Sequence, residues 1–322
     1  MQAVRVHQQG GPELLRYESV PDPTPGPGQV VLRLEAIGVN YVDIYQRSGT
    51  YQLKTPFTLG VEGAGVIEAV GAEVTGFTVG ERAAHASARG AYAERQAVPA
   101  DQLVKLPAGV DARTAASALL QGMTAHFLAH STIPLRAGHT VLIHAGAGGV
   151  GRLLIQMAKR AGAYVLTTVS SEAKAEVARA AGADEVILYT HTDFAAAVRA
   201  ATDGKGLDVV YDSVGQATFL RSLECLRPRG LLALFGAASG PVPAFDPQIL
   251  NQKGSLFLTR PSLGHYTRTR EELEWRTGDV FAWITDGSLK LKLHAEYPLA
   301  AAADAHRALQ SRATTGKLLL TP

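Results

Sequence analysis

Glycines between an apolar run and a helical pattern are the residues whose spacing points most directly to chemistry. The segment GAGGVG, residues 146–151, satisfies G-x-G-x-x-G; it follows the apolar run 140–145 and precedes a helix pattern that reaches Gly162. Glycines let the backbone turn tightly and approach a pyrophosphate that sits on the N–H groups at a helix N-terminus. The context predicts a dinucleotide site, and a purely structural strand-to-helix turn is the alternative.

The end of the next predicted strand indicates which dinucleotide is bound. About twenty residues after the glycines, an acidic side chain would hold a ribose 2′-hydroxyl, but Ser170 and Ser171 stand there, followed by Lys174. Two hydroxyls and an ammonium attract a 2′-phosphate instead. Glu172 weakens this reading unless it faces solvent in the first helical turn, where acids are favoured. The sequence therefore favours NADPH over NADH. One charge-assisted hydrogen bond to the 2′-phosphate contributes about 1.5–3 kcal/mol, which is enough for a measurable preference.

The glycine segment lies in a region of alternating strand and helix patterns that begins near residue 121. Apolar strands are predicted at 140–145, 164–169, 185–189, 207–212 and 231–236, with helices between them that include 172–181 and 217–226. Such alternation predicts an α/β domain with a doubly wound parallel sheet covered by helices on both faces.

The flanking regions read differently. Residues 1 to about 120 show short strands broken by turns, as at 29–35 and 63–71, which predicts a β-rich domain. After about 264 come a short amphipathic helix and a last strand at 317–321. This tail is too brief to be a domain, so we expect it to return to the N-terminal domain.

Composition excludes several classes of function. Lys and Arg total 31 against 29 Asp and Glu, so the formal charge is +2 and no nucleic-acid partner is expected. The single cysteine, Cys225, can form neither an internal disulfide nor a cysteine-rich zinc site. No signal peptide is evident, and no apolar run approaches the roughly 20 residues that span a bilayer. We expect a cytoplasmic protein without a membrane partner.

Motifs spread over nearly the whole chain add a family resemblance. Together they resemble the zinc-free medium-chain dehydrogenases/reductases, in the NADPH-dependent quinone oxidoreductase, or zeta-crystallin-like, branch. The motifs are AIGVNYVD at 36–43, RSG at 47–49, GVEGAG at 60–65, VG at 70–71, VGER at 79–82, YDSVG at 211–215, LNQKGS at 250–255, TRPS at 259–262 and SRAT at 311–314.

The resemblance implies a two-domain organisation. Residues 1–121 with 264–322 would form a GroES-like catalytic domain, and residues 122–263 a Rossmann dinucleotide-binding domain. The cleft between these domains would be the site. A homodimer is also implied, in which edge strands of the nucleotide domain pair, and residues 255–259 are a suitable apolar edge.

Departures from zinc alcohol dehydrogenases are informative. Those enzymes have Gly-His-Glu where this chain has Val61 before Glu62, and a cysteine near the position of Asn40. We therefore expect no metal. Because oxidation of an unactivated alcohol generally needs a Lewis acid, the expected substrate is an electrophilic acceptor, namely a quinone or an α,β-unsaturated ketone.

The resemblance also assigns site residues. On the catalytic side it implies Asn40, Tyr45, Tyr51 and Thr124. For NADPH it implies Tyr41, Asp43, Gly148, Gly149, Val150, Ser170, Ser171, Lys174, Tyr189, Ser213, Phe235, Gly236, Ala237, Ala238, Arg260, Pro261, Ser262, Leu263 and Arg312. Each has a plainer interpretation: Asp43 as a helix cap, the tyrosines as half-buried aromatics, and Lys174 and Arg312 as solvated charges. His144 is better explained as a core histidine.

The sequence thus predicts an NADPH:quinone oxidoreductase that acts by hydride or single-electron transfer. An enone or enal double-bond reductase is the nearest alternative, since it would use the same cofactor. A structural or RNA-binding protein that merely contains NADPH is an alternative of another class. The physiological acceptor and the proton donor stay open.

Overall fold

The computed structural model describes residues 1–322, which form two compact units. Unit 1 comprises Met1–Met123 and Thr269–Pro322, and unit 2 comprises Thr124–Arg268. One helix, α2 (Ala112–Phe127), contains the boundary between them. It continues as a π-helical turn over Leu128–Thr132.

Unit 2 is built around a six-stranded sheet. Its strands are β9 (Thr140–His144), β10 (Tyr164–Val169), β11 (Glu185–Leu188), β12 (Leu207–Asp212), β13 (Leu226–Leu234) and β14 (Phe257–Thr259). Its helices are α3 (Gly149–Arg160), α4 (Glu172–Ala180), α5 (Phe194–Ala201), α6 (Phe219–Glu224) and α7 (Gln248–Gln252).

The sheet of unit 2 has the order β11-β10-β9-β12-β13-β14, and every neighbouring pair is parallel. The central strands are continuous apolar runs: Val141, Leu142 and Ile143 of β9 are fully buried. The strand order reverses beside β9, and in such sheets ligands bind outside the carboxyl ends of the strands at that point. The predicted doubly wound parallel sheet is confirmed.

Unit 1 is mostly β-structure. Its strands are β1 (Gln2–Val6), β2 (Leu15–Ser19), β3 (Gln29–Val39), β4 (Phe57–Thr58), β5 (Gly63–Val70), β6 (Arg82–His85), β7 (Arg95–Pro99), β8 (Val104–Lys105), β15 (Leu293–Pro298) and β16 (Lys317–Thr321). Its helices, besides the first part of α2, are α1 (Tyr41–Ser48), α8 (Arg270–Thr285) and α9 (Ala302–Gln310).

Two sheets organise unit 1. One has the order β2-β1-β4; the other has the order β15-β16-β3-β5-β6-β8, with β7 also paired to β3. Within the larger sheet, β16 is parallel to β15 and antiparallel to β3. Apolar side chains of both sheets and of α9 share one core, which includes Leu32, Ile37, Leu59 and Leu320. The tail of the chain thus completes the sheet that begins near its start.

Some elements differ from the sequence prediction. The helix expected over 217–226 is limited to α6, because Leu226 already belongs to β13 and pairs with Leu207 of β12. In the tail, α8 extends to Thr285, and β15 and α9 were not predicted. None of the helices combines the length and the apolar character needed to cross a membrane.

Candidate functional site

The glycine loop joins β9 to α3 in a turn that leaves no room for a Cβ atom on Gly146 or Gly151. Ala145 has a φ of 55°, and Gly148 is the residue that caps the start of α3. A Cβ on Gly146 would lie 2.0 Å from Oγ1 of Thr167, and one on Gly151 would lie 2.4 Å from the carbonyl oxygen of Ala145. The first N–H groups of a helix lack intrahelical acceptors and favour an anion. This loop therefore fits a pyrophosphate.

Four predicted residues lie together at the carboxyl ends of β10 and β11. Ser170 follows β10 directly, and Ser171 precedes the first turn of α4, where its carbonyl accepts the N–H of Lys174 at 3.1 Å. Tyr189 follows β11, and its N–H donates to the carbonyl of Val169 at 3.2 Å. Two adjacent strands thus bring three hydroxyls and one ammonium to one edge of the sheet.

Glu172, the acid that weakens the case for NADPH, is paired within its own helix. Its carboxylate accepts from Nη1 of Arg179 at 2.5 Å, and the same nitrogen donates to Glu176 at 2.6 Å. All three side chains are exposed. Arg179 thus holds Glu172 on the solvent side of α4, although its single positive charge is shared by two carboxylates.

Asp212 ends β12 and organises the loop after it, a role that sequence reasoning missed. Its buried carboxylate accepts the N–H groups of Val214 at 2.8 Å and Gly215 at 3.0 Å through Oδ1. Oδ2 accepts the hydroxyl of Thr218 at 2.7 Å. An acid as the last residue of a mostly apolar strand was the available signal, since a buried carboxylate needs several donors.

The loops after β12 and β13 touch at this same edge. The N–H of Ala238 donates to the carbonyl of Ser213 at 3.1 Å, and a Cβ on Gly236 would lie 2.5 Å from that carbonyl oxygen. The N–H of Phe235 donates to the carbonyl of Asp212 at 2.8 Å. This close approach of the two backbones requires glycine at position 236. Ala237 is fixed because the residues on both sides of it contact the carbonyl of Ser213.

A fourth group follows β14. Arg260 is exposed, Pro261 is buried, and Ser262 accepts the N–H of His265 at 3.0 Å as Leu263 begins a short 3₁₀ turn. Because all six strands are parallel, these residues share the carboxyl edge of the sheet with the glycine loop.

His144, the last residue of β9, is a core residue. Its Nδ1 lies 2.8 Å from Oγ1 of Thr168, and its Nε2 lies 3.0 Å from Oγ of Ser222. Burial lowers the pKa of the imidazole. Both ring nitrogens have partners, so the side chain is a satisfied neutral histidine, as the sequence favoured.

In unit 1, α1 and the segment after it carry a row of tyrosines. The rings of Tyr41 and Tyr45 are 6.2 Å apart, and those of Tyr45 and Tyr51 meet edge to face at 5.3 Å. Tyr51 is 42% exposed, and its N–H donates to the carbonyl of Tyr45 at 2.9 Å. This tyrosine row, Tyr41, Tyr45 and Tyr51, offers aromatic surface that suits a planar ligand.

Arg312 lies near one end of the tyrosine row. The hydroxyl of Tyr41 donates to the carbonyl of Leu309 at 3.2 Å. Burial raises the pKa of Tyr41, while the Arg312 guanidinium acts in the opposite direction. Thr124 belongs to the other unit, where it is half-buried in α2. Apart from Thr124, the predicted residues are therefore gathered into one group at the sheet edge of unit 2 and another around α1 of unit 1.

Behind α1 lies a buried group that we call the Asn40 cluster: Asn40, Glu62 and Lys317. Nζ of Lys317 donates to Oδ1 of Asn40 at 2.7 Å and to Oε2 of Glu62. Nδ2 of Asn40 donates to the same oxygen of Glu62 at 2.8 Å. Lys317 is 2% exposed and Glu62 fully buried. The ammonium thus neutralises the carboxylate inside the unit.

A second buried group, the Tyr92 triad, comprises Asp43, Tyr92 and His306. The hydroxyl of Tyr92 lies 3.1 Å from Oδ2 of Asp43 and 3.0 Å from Nε2 of His306. Burial raises the pKa of Asp43 to about 7 and lowers that of His306 to about 3. The main-chain N–H of Asn40 donates to Oδ2 of Asp43 at 2.8 Å and so joins the triad to the Asn40 cluster.

Sequence reasoning did not assign roles to Glu62, Tyr92, His306 or Lys317. Glu62 lies inside the quoted GVEGAG segment, which was a local signal, whereas the other three have no motif around them. The structure contains no group of three or more His, Cys, Asp or Glu side chains that could hold a metal ion.

Comparison with known proteins agrees with both units. The family model of the zinc-binding dehydrogenases matches residues 149–277, and that of the alcohol dehydrogenase GroES-like domain matches residues 26–108. A quinone oxidoreductase of Pseudomonas aeruginosa is 47% identical over 315 residues, which cover 97% of each chain. The chain belongs to the quinone oxidoreductase family.

A solved structure and a second curated relative are also similar to this chain over nearly its whole length. The crystal structure of Escherichia coli quinone oxidoreductase complexed with NADPH has a TM-score of 0.98 at 40% identity and covers 100% of both chains. A 2-haloacrylate reductase of Burkholderia is 44% identical over 328 residues, 99% of this chain and 98% of that one. The predicted resemblance, including its GroES-like part, is therefore confirmed.

Proposed function

We propose that this chain is an NADPH-dependent quinone reductase. The observation that carries the proposal is the glycine loop at the start of α3, with hydroxyls and an ammonium after β10 and a serine where an acid would hold a ribose 2′-hydroxyl. The names of the relatives support the substrate: several are quinone oxidoreductases, and one was solved with NADPH.

Different residues at the sheet edge of unit 2 would hold different parts of NADPH. Gly148, Gly149 and Val150 would bind the pyrophosphate through main-chain N–H groups. The 2′-phosphate would meet Ser170, Ser171, Lys174 and Tyr189. Arg312, which belongs to unit 1, is a further cation that the family resemblance assigns to this phosphate. Ser213, Phe235, Gly236, Ala237, Ala238, Arg260, Pro261, Ser262 and Leu263 would border the remainder of the cofactor.

The residues of α1 would serve the reacting end. Tyr45 would approach the nicotinamide, with Tyr51 and Thr124 near the acceptor, and Tyr41 would border the cofactor. Asn40 and Asp43 are buried and would act by fixing the start of α1. When bound, NADPH supplies reducing equivalents. The exposed phenol of Tyr51, or water, would provide a proton to the acceptor oxygen, and the tyrosine row would exclude water from one side.

A steady-state comparison tests this proposal. Purified protein is mixed with NADPH and either 1,4-benzoquinone or 2-cyclohexen-1-one, and loss of nicotinamide absorbance is followed. We expect a kcat/KM for the quinone at least about tenfold higher, which corresponds to about 1.4 kcal/mol of transition-state discrimination. Equal or faster turnover of the enone would contradict it.

The second candidate is reduction of an activated carbon–carbon double bond. The 2-haloacrylate reductase at 44% identity favours this candidate. It would use the same cofactor residues but deliver the reducing equivalents to carbon, so its product is a saturated carbonyl compound. Product analysis with the enone distinguishes it.

We further propose a homodimer in the cytoplasm. Strand β14 is an edge of the unit 2 sheet, and its Phe257 is 61% exposed. Exposed apolar edge strands tend to pair with another chain. The one cysteine, Cys225, is buried and unpaired, which suits a reducing compartment.

A further inference from the structure

We propose that Lys317 and Glu62 are positioning residues for the nicotinamide end of the cofactor site. They act through Asn40, which fixes the start of α1. This inference rests on the proposed function, because α1 carries the tyrosines that would approach the cofactor.

Both ends of the Asn40 amide are held from within unit 1. Oδ1 accepts from Lys317 at 2.7 Å, while Nδ2 donates to Glu62 at 2.8 Å and to the carbonyl of Gly38 at 3.3 Å. The amide cannot rotate without losing these bonds. Asn40 is only 3% exposed, so its side chain serves the interior of the unit.

The carboxylate of Glu62 is held equally firmly. Oε1 accepts the N–H of Leu120 at 2.7 Å, and Oε2 accepts from Asn40 and Lys317. A Cβ on Gly38 would lie 2.0 Å from Oε2. The glycine at 38 thus provides the space that this carboxylate occupies.

Three separate segments therefore meet at Asn40: β16 through Lys317, the residues before β5 through Glu62, and α1 itself. An apolar group of similar volume would fill such a space without the cost of desolvating two charges. Packing alone does not require an ion pair here, but holding an amide in one orientation does require a donor and an acceptor.

The position of Asn40 determines how α1 begins. Asn40 is the residue before the first turn, and its main-chain N–H donates to Oδ2 of Asp43 at 2.8 Å. Movement of Asn40 would therefore shift Asp43 and the adjoining Tyr41 and Tyr45. The two tyrosines are the residues of α1 proposed to face the cofactor.

The first experiment compares Glu62→Gln and Lys317→Met with the wild type. In Glu62→Gln, an amide nitrogen would face the donors of Asn40 and Lys317. We expect the dissociation constant for NADPH, from nucleotide fluorescence, to rise about tenfold, or about 1.4 kcal/mol. Lys105→Met is the matched control, because Lys105 forms an exposed pair with Glu81 at 2.6 Å in the same unit. The unfolding midpoint is measured for each variant.

The second experiment exchanges the charge within the cluster, using Asn40→Asp combined with Glu62→Gln. The new carboxylate accepts from Lys317 and from the new amide, whose oxygen still accepts from Leu120. The amide nitrogen still faces the ammonium of Lys317, and the carboxylate replaces the Nδ2 that donates to the carbonyl of Gly38 at 3.3 Å. We expect this double variant to fold and to regain part of the NADPH affinity that Glu62→Gln alone loses.

Two results would overturn the proposal. One is that both single variants fold with NADPH affinity and kcat within about twofold of the wild type. The other is a double variant that folds but binds no better than Glu62→Gln. A merely structural role would lower the unfolding midpoint but leave the affinity of the folded protein unchanged. Lack of quinone turnover in the wild type would refute the proposed function alone, since NADPH binding still tests this inference.

Discussion

Tyr92 and His306, 214 residues apart, share a hydrogen bond of 3.0 Å between the phenol oxygen and Nε2. Their rings also meet edge to face, with centroids 5.8 Å apart. When Asp43 is ionised, the single phenol proton donates to it, and Nε2 of His306 then carries a proton and donates to Tyr92. Because burial raises the pKa of Asp43 and lowers that of His306, the direction of these hydrogen bonds depends on the protonation of Asp43.

The first prediction concerns pH. The pKa of Asp43 is about 7 in the folded protein, against 3.8 for an ordinary aspartate. Its contribution to stability is therefore full below pH 3.8 and is lost as pH rises through 7. The quantity to compare is the free energy of unfolding of the wild type minus that of Asp43→Asn. We expect this difference to fall by roughly 2 kcal/mol between pH 5 and pH 7. Urea unfolding measures this difference, and a constant difference over that range would contradict it.

His306 opposes this trend in the wild type. Burial lowers its pKa from 6.5 to about 3. Its contribution is therefore present above pH 6.5 and is lost as pH falls towards 3. The two groups partly cancel between about pH 4 and pH 6.5, so the Asp43→Asn variant should become more stable as pH rises over that range.

The second prediction concerns cofactor preference. Lys174→Glu places a carboxylate at the end of β10, where it would repel a 2′-phosphate. We expect the ratio of NADPH to NADH affinity to fall at least about tenfold. Titration with both nucleotides measures this ratio. Lys205→Glu is the matched control, because Lys205 is exposed just before β12, at the amino edge of the sheet. Unchanged affinities in the Lys174 variant would remove this residue from the site.

The third prediction concerns the glycine loop. In Gly151→Ala, the new Cβ would lie 2.4 Å from the carbonyl oxygen of Ala145, so the turn must open. We expect a loss of NADPH affinity of about tenfold or more, together with lower stability. Gly278→Ala is the control: it lies within α8 with no atom within 4 Å of the added Cβ. That change should be neutral or stabilise the protein by up to about 1 kcal/mol. Equal effects of the two changes would exclude a special role for the loop.

The fourth prediction concerns assembly. Phe257→Asp places a charge on the edge strand β14, where it would have to be buried in a paired sheet. We expect the variant to have the mass of a monomer by light scattering at micromolar concentration, against a dimer for the wild type. Val79→Asp, at an apolar residue of unit 1 that is 63% exposed, should leave the mass unchanged. A monomeric wild type would refute the dimer.

The sequence was most informative where structure is local. The glycine loop, the residues at the ends of β10 and β11, and the parallel sheet follow from short-range patterns of apolar residues and glycines. The Asn40 cluster could not be predicted in this way, because Glu62 and Lys317 are separated by 255 residues. A lysine at the start of an apolar strand looks like an ordinary exposed end, and only the pairing of β16 with β3 takes it inside. The same holds for His306, whose partner Tyr92 has no motif around it.

Strand β16 lies between β15 and β3, and this position has a consequence for folding during synthesis on the ribosome. Strand β3 emerges early, but its neighbour β16 is translated only after all of unit 2. Until then, the edge of β3 that pairs with β16 is open and Glu62 lacks its counterion. Unit 2, which is continuous in the chain, can complete its sheet while translation proceeds. Unit 1 must wait for the C-terminal segment, so nascent chains leave residues 37–39 of β3 unpaired, and a chaperone could protect this short edge.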